Sequence, residues 1–162
     1  MKQLSTLNST LSIVLLALTA TAVGAEASSS QAFDELMKPY EKIRLALLAD
    51  TTEAVAAEAD ALAEKAKESA EEAATPAGIK ALLPEIAGFA EDLAEVADLT
   101  AAREAFSELS KAMVRYRSQV EGERPVVVYC PMVKKSWLQP DGEIGNPYSG
   151  SAMASCGEVV ER

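Results

Sequence analysis

The chain has 162 residues, with 25 acidic side chains against 15 basic ones and no histidine, for a formal net charge of -10 at pH 7. So acidic a surface argues against nucleic acid and anionic membrane as partners, because both need neutralising cations on the protein. Without histidine the commonest zinc and Cu(II) ligand and the usual neutral-pH general base are missing, so hydrolytic zinc chemistry and Cys-His nucleophilic catalysis lose their standard parts, and the chain is not expected to be an enzyme.

The chain opens on a pattern of export. Lys2 supplies a small basic start, residues 11–22 are an unbroken run of apolar, Ser and Thr residues, and Val23-Gly24-Ala25 is a small-residue cleavage site. Cleavage after Ala25 makes residues 1–25 a signal peptide and places residues 26–162 in the periplasm as one domain. The apolar run is too short to span a bilayer and no basic stop-transfer cluster follows it, so no membrane anchor is expected.

Four amphipathic stretches come next, each with apolar residues at alternating spacings of three and four. The first carries Phe33, Leu36, Tyr40, Ile43 and Leu47, with Pro39 at a first turn or a kink. The second opens at Asp50-Thr51-Thr52-Glu53, read as a cap with a glutamate three residues on, and continues through Val55, Ala59, Leu62, Ala66 and Ala73. Its mostly alanine stripe buries little area, so it contributes least to stability. The third opens at Thr75-Pro76 and carries Ile79, Leu82, Ile86, Phe89, Leu93 and Val96, with Pro84 breaking or kinking it. The fourth is capped by Asp98 or Thr100 and carries Ala102, Phe106, Leu109, Met113, Tyr116 and Val120. Short connections between such helices favour antiparallel neighbours, so the expected fold is all-α, an antiparallel up-down four-helix bundle.

A short irregular tail, about residues 125–160, follows the helices, and both cysteines and the only tryptophan lie in it. The β-branched and aromatic run from Val126 to Tyr129 predicts a short strand. If the chain stays extended past it, Cys130 and Met132 point the same way, and Pro131 holds the backbone extended. If residues 151–156 form one helical turn, Met153 and Cys156 share a face. Gly142, Gly145, Asn146-Pro147 and Ser149-Gly150 are turn signals that bring the second pair back onto the first. Two thiols and two thioethers around one point are the ligand type that selects Cu(I), so Cys130, Met132, Met153 and Cys156 are the candidate metal ligands.

These residues also carry a resemblance. Tyr129-Cys130-Pro131-Met132, Trp137-Leu138, Ile144-x-Asn146-Pro147-Tyr148-x-Gly150 and Met153-x-x-Cys156-Gly157-Glu158-Val159 resemble the bacterial, exported family catalogued as domain of unknown function 3347. Upstream, residues 98–110 are similar to that family's last helix, and residues 40–50 are more weakly similar. Members occur alone and fused to the periplasmic adaptor subunits of heavy-metal efflux pumps. The resemblance implies a helical bundle with a copper-related tail, and an efflux adaptor as a partner.

Two functions of different class follow. One is a periplasmic protein that binds Cu(I) and sequesters it or delivers it to an efflux system. The other is a structural or partner-binding helical module whose tail is closed by a Cys130 to Cys156 disulfide, since exported proteins with two cysteines usually pair them. The two are compatible as redox states of one site. For Met132 and Met153 the alternative to a ligand role is gap filling in a core, which is expected for Met113 and for Met37. Trp137 is expected to cover the tail against the helices.

Overall fold

The computed structural model describes the backbone of residues 17–162 and the side chains from Ser30 onward. Among these residues four helices run in an up-down arrangement: α1 (Ala17–Leu48), α2 (Val55–Glu71), α3 (Ala77–Ala94) and α4 (Leu99–Arg117). Each helix packs on the next and α1 also meets α4. The expected leader falls largely outside the described residues, and within them no helix is long and apolar enough to cross a membrane.

The stripes of α1 and α4 are buried where periodicity put them, and those of α2 and α3 in part. Phe33, Leu36, Tyr40, Ile43 and Leu47 of α1 and Ala102, Phe106, Leu109, Met113 and Tyr116 of α4 all lie in the core. On α2 the buried positions are Val55, Ala59, Leu62, Ala63 and Ala66, while Ala73 lies past the helix end and is exposed. On α3 the core side is Ile79, Leu83, Ile86, Ala90 and Leu93, with Leu82 and Phe89 at its margin. Neither Pro39 nor Pro84 ends its helix.

The helix starts differ in an informative way. Asp98 caps α4 as expected, its Oδ1 accepting from the Ala101 N–H at 2.9 Å. The expected capping box at Asp50 does not form: α2 begins at Val55 behind Ala54, which takes a left-handed φ of 67° without a side-chain cap. Asp50 is used elsewhere, as described below. Thr75 does not cap α3 either. Its hydroxyl donates to the Ser69 carbonyl at 2.8 Å, and Pro76 takes the cap position.

The all-α expectation needs correction, because residues 126–161 build a three-stranded antiparallel sheet and the molecule is mostly helical rather than purely so. The strands are β1 (Val126–Cys130), β2 (Lys135–Gln139) and β3 (Glu158–Glu161), in the order β2-β1-β3. Residues 131–134 form the hairpin turn, with the Lys134 N–H donating to the Cys130 carbonyl at 2.8 Å and Lys134 at a φ of 56°. This turn lacks the Gly or Asn that marks most hairpins, so periodicity did not reveal β2.

Side chains alternate across the sheet. Val128 lies opposite Trp137, and Val127 lies opposite Leu138. The Leu138 side packs on the helices, since β2 lies along α4, and Ser136 lines a groove with Phe89 and Lys111. The outer edge of β2 is closed by two tyrosines: the Leu138 N–H donates to Tyr40 Oη at 3.1 Å, and the Tyr148 hydroxyl donates to the Ser136 carbonyl at 2.8 Å. An edge strand is thereby denied to intermolecular pairing. Arg117, buried at the end of α4, donates to the Pro125 carbonyl at 2.6 Å and pairs with Glu161 of β3.

Phe106 stands where the two layers meet, 4.8 Å from the Tyr40 ring and 6.0 Å from the Tyr148 ring. Phe106→Ala is expected to cost about 3–5 kcal/mol in chemical denaturation. A loss within about 0.5 kcal/mol, as at a surface position, would contradict this packing.

Candidate functional site

Cys130 ends the central strand β1 and is fully buried, at 0% exposure. Cys156 lies in the turn after a short 3-10 helix (Gly150–Ala152), its N–H donating to the Met153 carbonyl at 3.0 Å. The two cysteines form a disulfide, with Cα atoms 5.8 Å apart, and no cysteine is left free. The two cysteine sulfurs of the predicted cluster are therefore brought together and are bonded to each other.

The methionines do not follow the expected geometry. Because the chain turns directly after β1, Cys130 is buried while Met132 is 71% exposed, so they do not point the same way. Met153 follows the 3-10 helix and is 39% exposed, and that helix ends before Cys156. Met132 and Met153 thus stand in solvent, two and three residues from the two cysteines. Among the described residues no group of three or more His, Cys, Asp and Glu side chains is arranged to hold a metal ion. A cation here would depend on the two thiolates of the reduced pair, and thiolates suit a soft cation.

Residues 140–157 fold over the outer face of the sheet and carry Cys156 to Cys130. Trp137 lies fully buried beneath them, edge-on to Tyr148 at 5.9 Å, and its indole N–H donates to Gln139 Oε1 at 2.9 Å. Gln139 Oε1 also accepts from the Gly145 N–H at 3.1 Å, and its Nε2 donates to the Glu143 carbonyl at 2.9 Å. Asn146 fixes the far end of the loop: its Nδ2 donates to the Cys156 carbonyl at 2.9 Å and its Oδ1 accepts from the Tyr148 N–H at 2.8 Å. Gly157 is needed where it passes the tryptophan, because a Cβ there would sit 2.8 Å from Trp137 Cη2 and from Val128 Cγ1.

The helices hold this loop through two arginines and Asp50. Arg44 pairs with Glu41 through two hydrogen bonds, at 2.7 and 2.6 Å, and its Nη1 donates to the Gly145 carbonyl at 2.7 Å. Arg103 donates to the Pro147 carbonyl, the Leu47 carbonyl and Asp50 Oδ1, at 2.8, 2.8 and 2.7 Å. Asp50 Oδ2 accepts from the Ser151 N–H at 3.0 Å and from its hydroxyl at 2.6 Å. Gly150, at a φ of 49°, lies against this carboxylate, where any Cβ would collide. The Ser151 hydroxyl first, and the Arg103 guanidinium after it, hold the Asp50 carboxyl well below the usual carboxylate range. Neither Arg44 nor Arg103 was singled out from the sequence. Their one signal is position, since Arg44 stands four residues after Tyr40 and Arg103 three before Phe106, which places charges at the border of buried stripes.

Fold and site together define a small, mostly helical domain with a disulfide-pinned sheet. The family described as "Protein of unknown function (DUF3347)" matches residues 36–124, more than half of the chain, and the chain belongs to that family. The match ends before β1, so it rests on the helices and not on the cysteine and methionine tail. No curated protein and no solved structure matches this chain.

Because the folded-state pKa of Asp50 is depressed, its contribution to stability is present above the unfolded value of about 4 and is lost as pH falls through the folded value. Asp50→Asn should lower the denaturation midpoint by a constant amount near neutrality, and this gap should shrink as pH drops below about 4. A gap that is independent of pH would show that the charged carboxylate does not hold the loop.

Proposed function

We propose that the chain is a periplasmic Cu(I)-binding protein. In its reduced form Cys130 and Cys156 take up the cation and Met132 and Met153 close the coordination shell. The protein then sequesters copper or delivers it to an efflux system, with a heavy-metal efflux adaptor as the partner. The observation that supports this reading best is the contrast among the methionines. Met113 is buried and Met37 packs half-buried against the core, as gap fillers do. Met132 and Met153, at 71% and 39% exposure, fill no gap, and in sequence they stand two and three residues from a cysteine. Thioethers in solvent next to two cysteines suit a soft cation better than they suit packing.

In this reading the disulfide is the oxidised, metal-free form of the site. A metal needs thiolates, so bonding between the sulfurs and binding of copper exclude one another. The second reading, a structural or partner-binding helical module closed by the disulfide, is favoured by the Cys130–Cys156 bond itself.

Cu(I) competition titrations on the reduced protein separate the two. Thiolates are charged donors and thioethers neutral ones, so Cys130→Ser or Cys156→Ser should abolish tight binding, while Met132→Leu or Met153→Leu should weaken it and leave a site more easily oxidised. Affinity should fall as pH drops, because the thiols must lose their protons to bind. If both serine variants bind as tightly as the parent, the copper reading fails and the structural reading stands.

A further inference from the structure

We infer that Cys156, and not Cys130, is the sulfur at which the disulfide is attacked by thiols, so that the tail is a substrate for a dithiol reductant through Cys156. Thiol-disulfide exchange depends on which sulfur an incoming thiolate can reach. Cys130 is fully buried at the end of the central strand, where it pairs with Lys135 of β2. Cys156 is partly exposed, in a surface turn between exposed Ser155 and Gly157, which has no side chain to shield it. Met153, whose carbonyl accepts from the Cys156 N–H, is itself exposed on the same turn.

In the exchange a reductant thiolate forms a new S–S bond to Cys156 Sγ. The Cys130–Cys156 bond breaks, its electron pair goes to Cys130 Sγ, and Cys130 takes up a proton. The reductant's second thiol, deprotonated, then attacks its own sulfur in the mixed disulfide and releases Cys156, which takes up a second proton. Two electrons and two protons have moved, and the reductant leaves as a disulfide. Because Cys130 is held by its pairing with Lys135 and by the Lys134 N–H on its carbonyl, it keeps its place throughout, and Cys156 is the moving partner. The inference concerns the disulfide alone and goes beyond the copper reading, which can fail without affecting it.

The test uses the oxidised, metal-free protein and the monothiol glutathione, which has no second thiol of its own to resolve the mixed disulfide, and the exchange is sampled at early times before a second glutathione reacts. After acid quenching, the freed thiol is alkylated and the two cysteines are mapped by mass spectrometry. Glutathione on Cys156 and the alkyl group on Cys130, in large excess over the reverse, is expected, with the preference collapsing when the exchange is run in denaturant. Glutathione on Cys130, an even mixture under native conditions, or a preference that persists in denaturant would each overturn the inference, the last because local sequence and not burial would then set the site.

Discussion

A three-stranded sheet this small cannot bury its own residues, and the rest of the tail follows from that constraint. Small sheets gain independent stability only by packing an apolar face on something else. Here the Val127 and Leu138 side meets the helices, which leaves Val128 and Trp137 on the opposite side needing cover. Among the described residues it is residues 140–157, irregular apart from the 3-10 turn at Gly150–Ala152, that supply this cover. Irregular backbone carries polar groups that must be satisfied wherever it is buried. Gln139, Asn146, Arg44 and Arg103 meet that need, each bonding loop backbone groups.

The disulfide completes the cover by fixing the end of the loop to the middle of the sheet. It closes a long stretch of chain, and such a link stabilises mainly by restricting the unfolded state. The same arrangement has a chemical consequence. The fold brings the two sulfurs to each other, Cys130 through strand pairing and Cys156 through Asn146 and the Met153 turn. In the proposed function, a reduced pair placed this way supplies two thiolates to one soft cation.

Much of the helical layer was legible in the sequence, because its stripes run at a constant period and Asp98 caps α4 locally. The tail was less legible, for physical reasons. β2 is short, follows a turn without glycine, and mixes Lys135 and Ser136 with Trp137 and Leu138. Asp50-Thr51-Thr52-Glu53 has the composition of a capping box, but its aspartate is taken by Arg103 and Ser151, a tertiary bond that outcompeted the local one. Cys130 and Met132 were expected on one side because the strand was extended too far; the chain turns at Pro131 and separates them. The motif around Asn146, Tyr148 and Gly150 pointed to turns, whereas its larger role is to seat the loop on Trp137, Phe106 and Asp50.

The central claim is that one pair of sulfurs serves two exclusive states, a closed disulfide and a copper-loaded dithiol. Native mass spectrometry of protein isolated from the cells that make it reads both properties on each molecule. The account predicts that molecules lighter by two hydrogens carry no copper and that every copper-bearing molecule has lost the disulfide. Copper bound stoichiometrically to the disulfide-bonded form would contradict it.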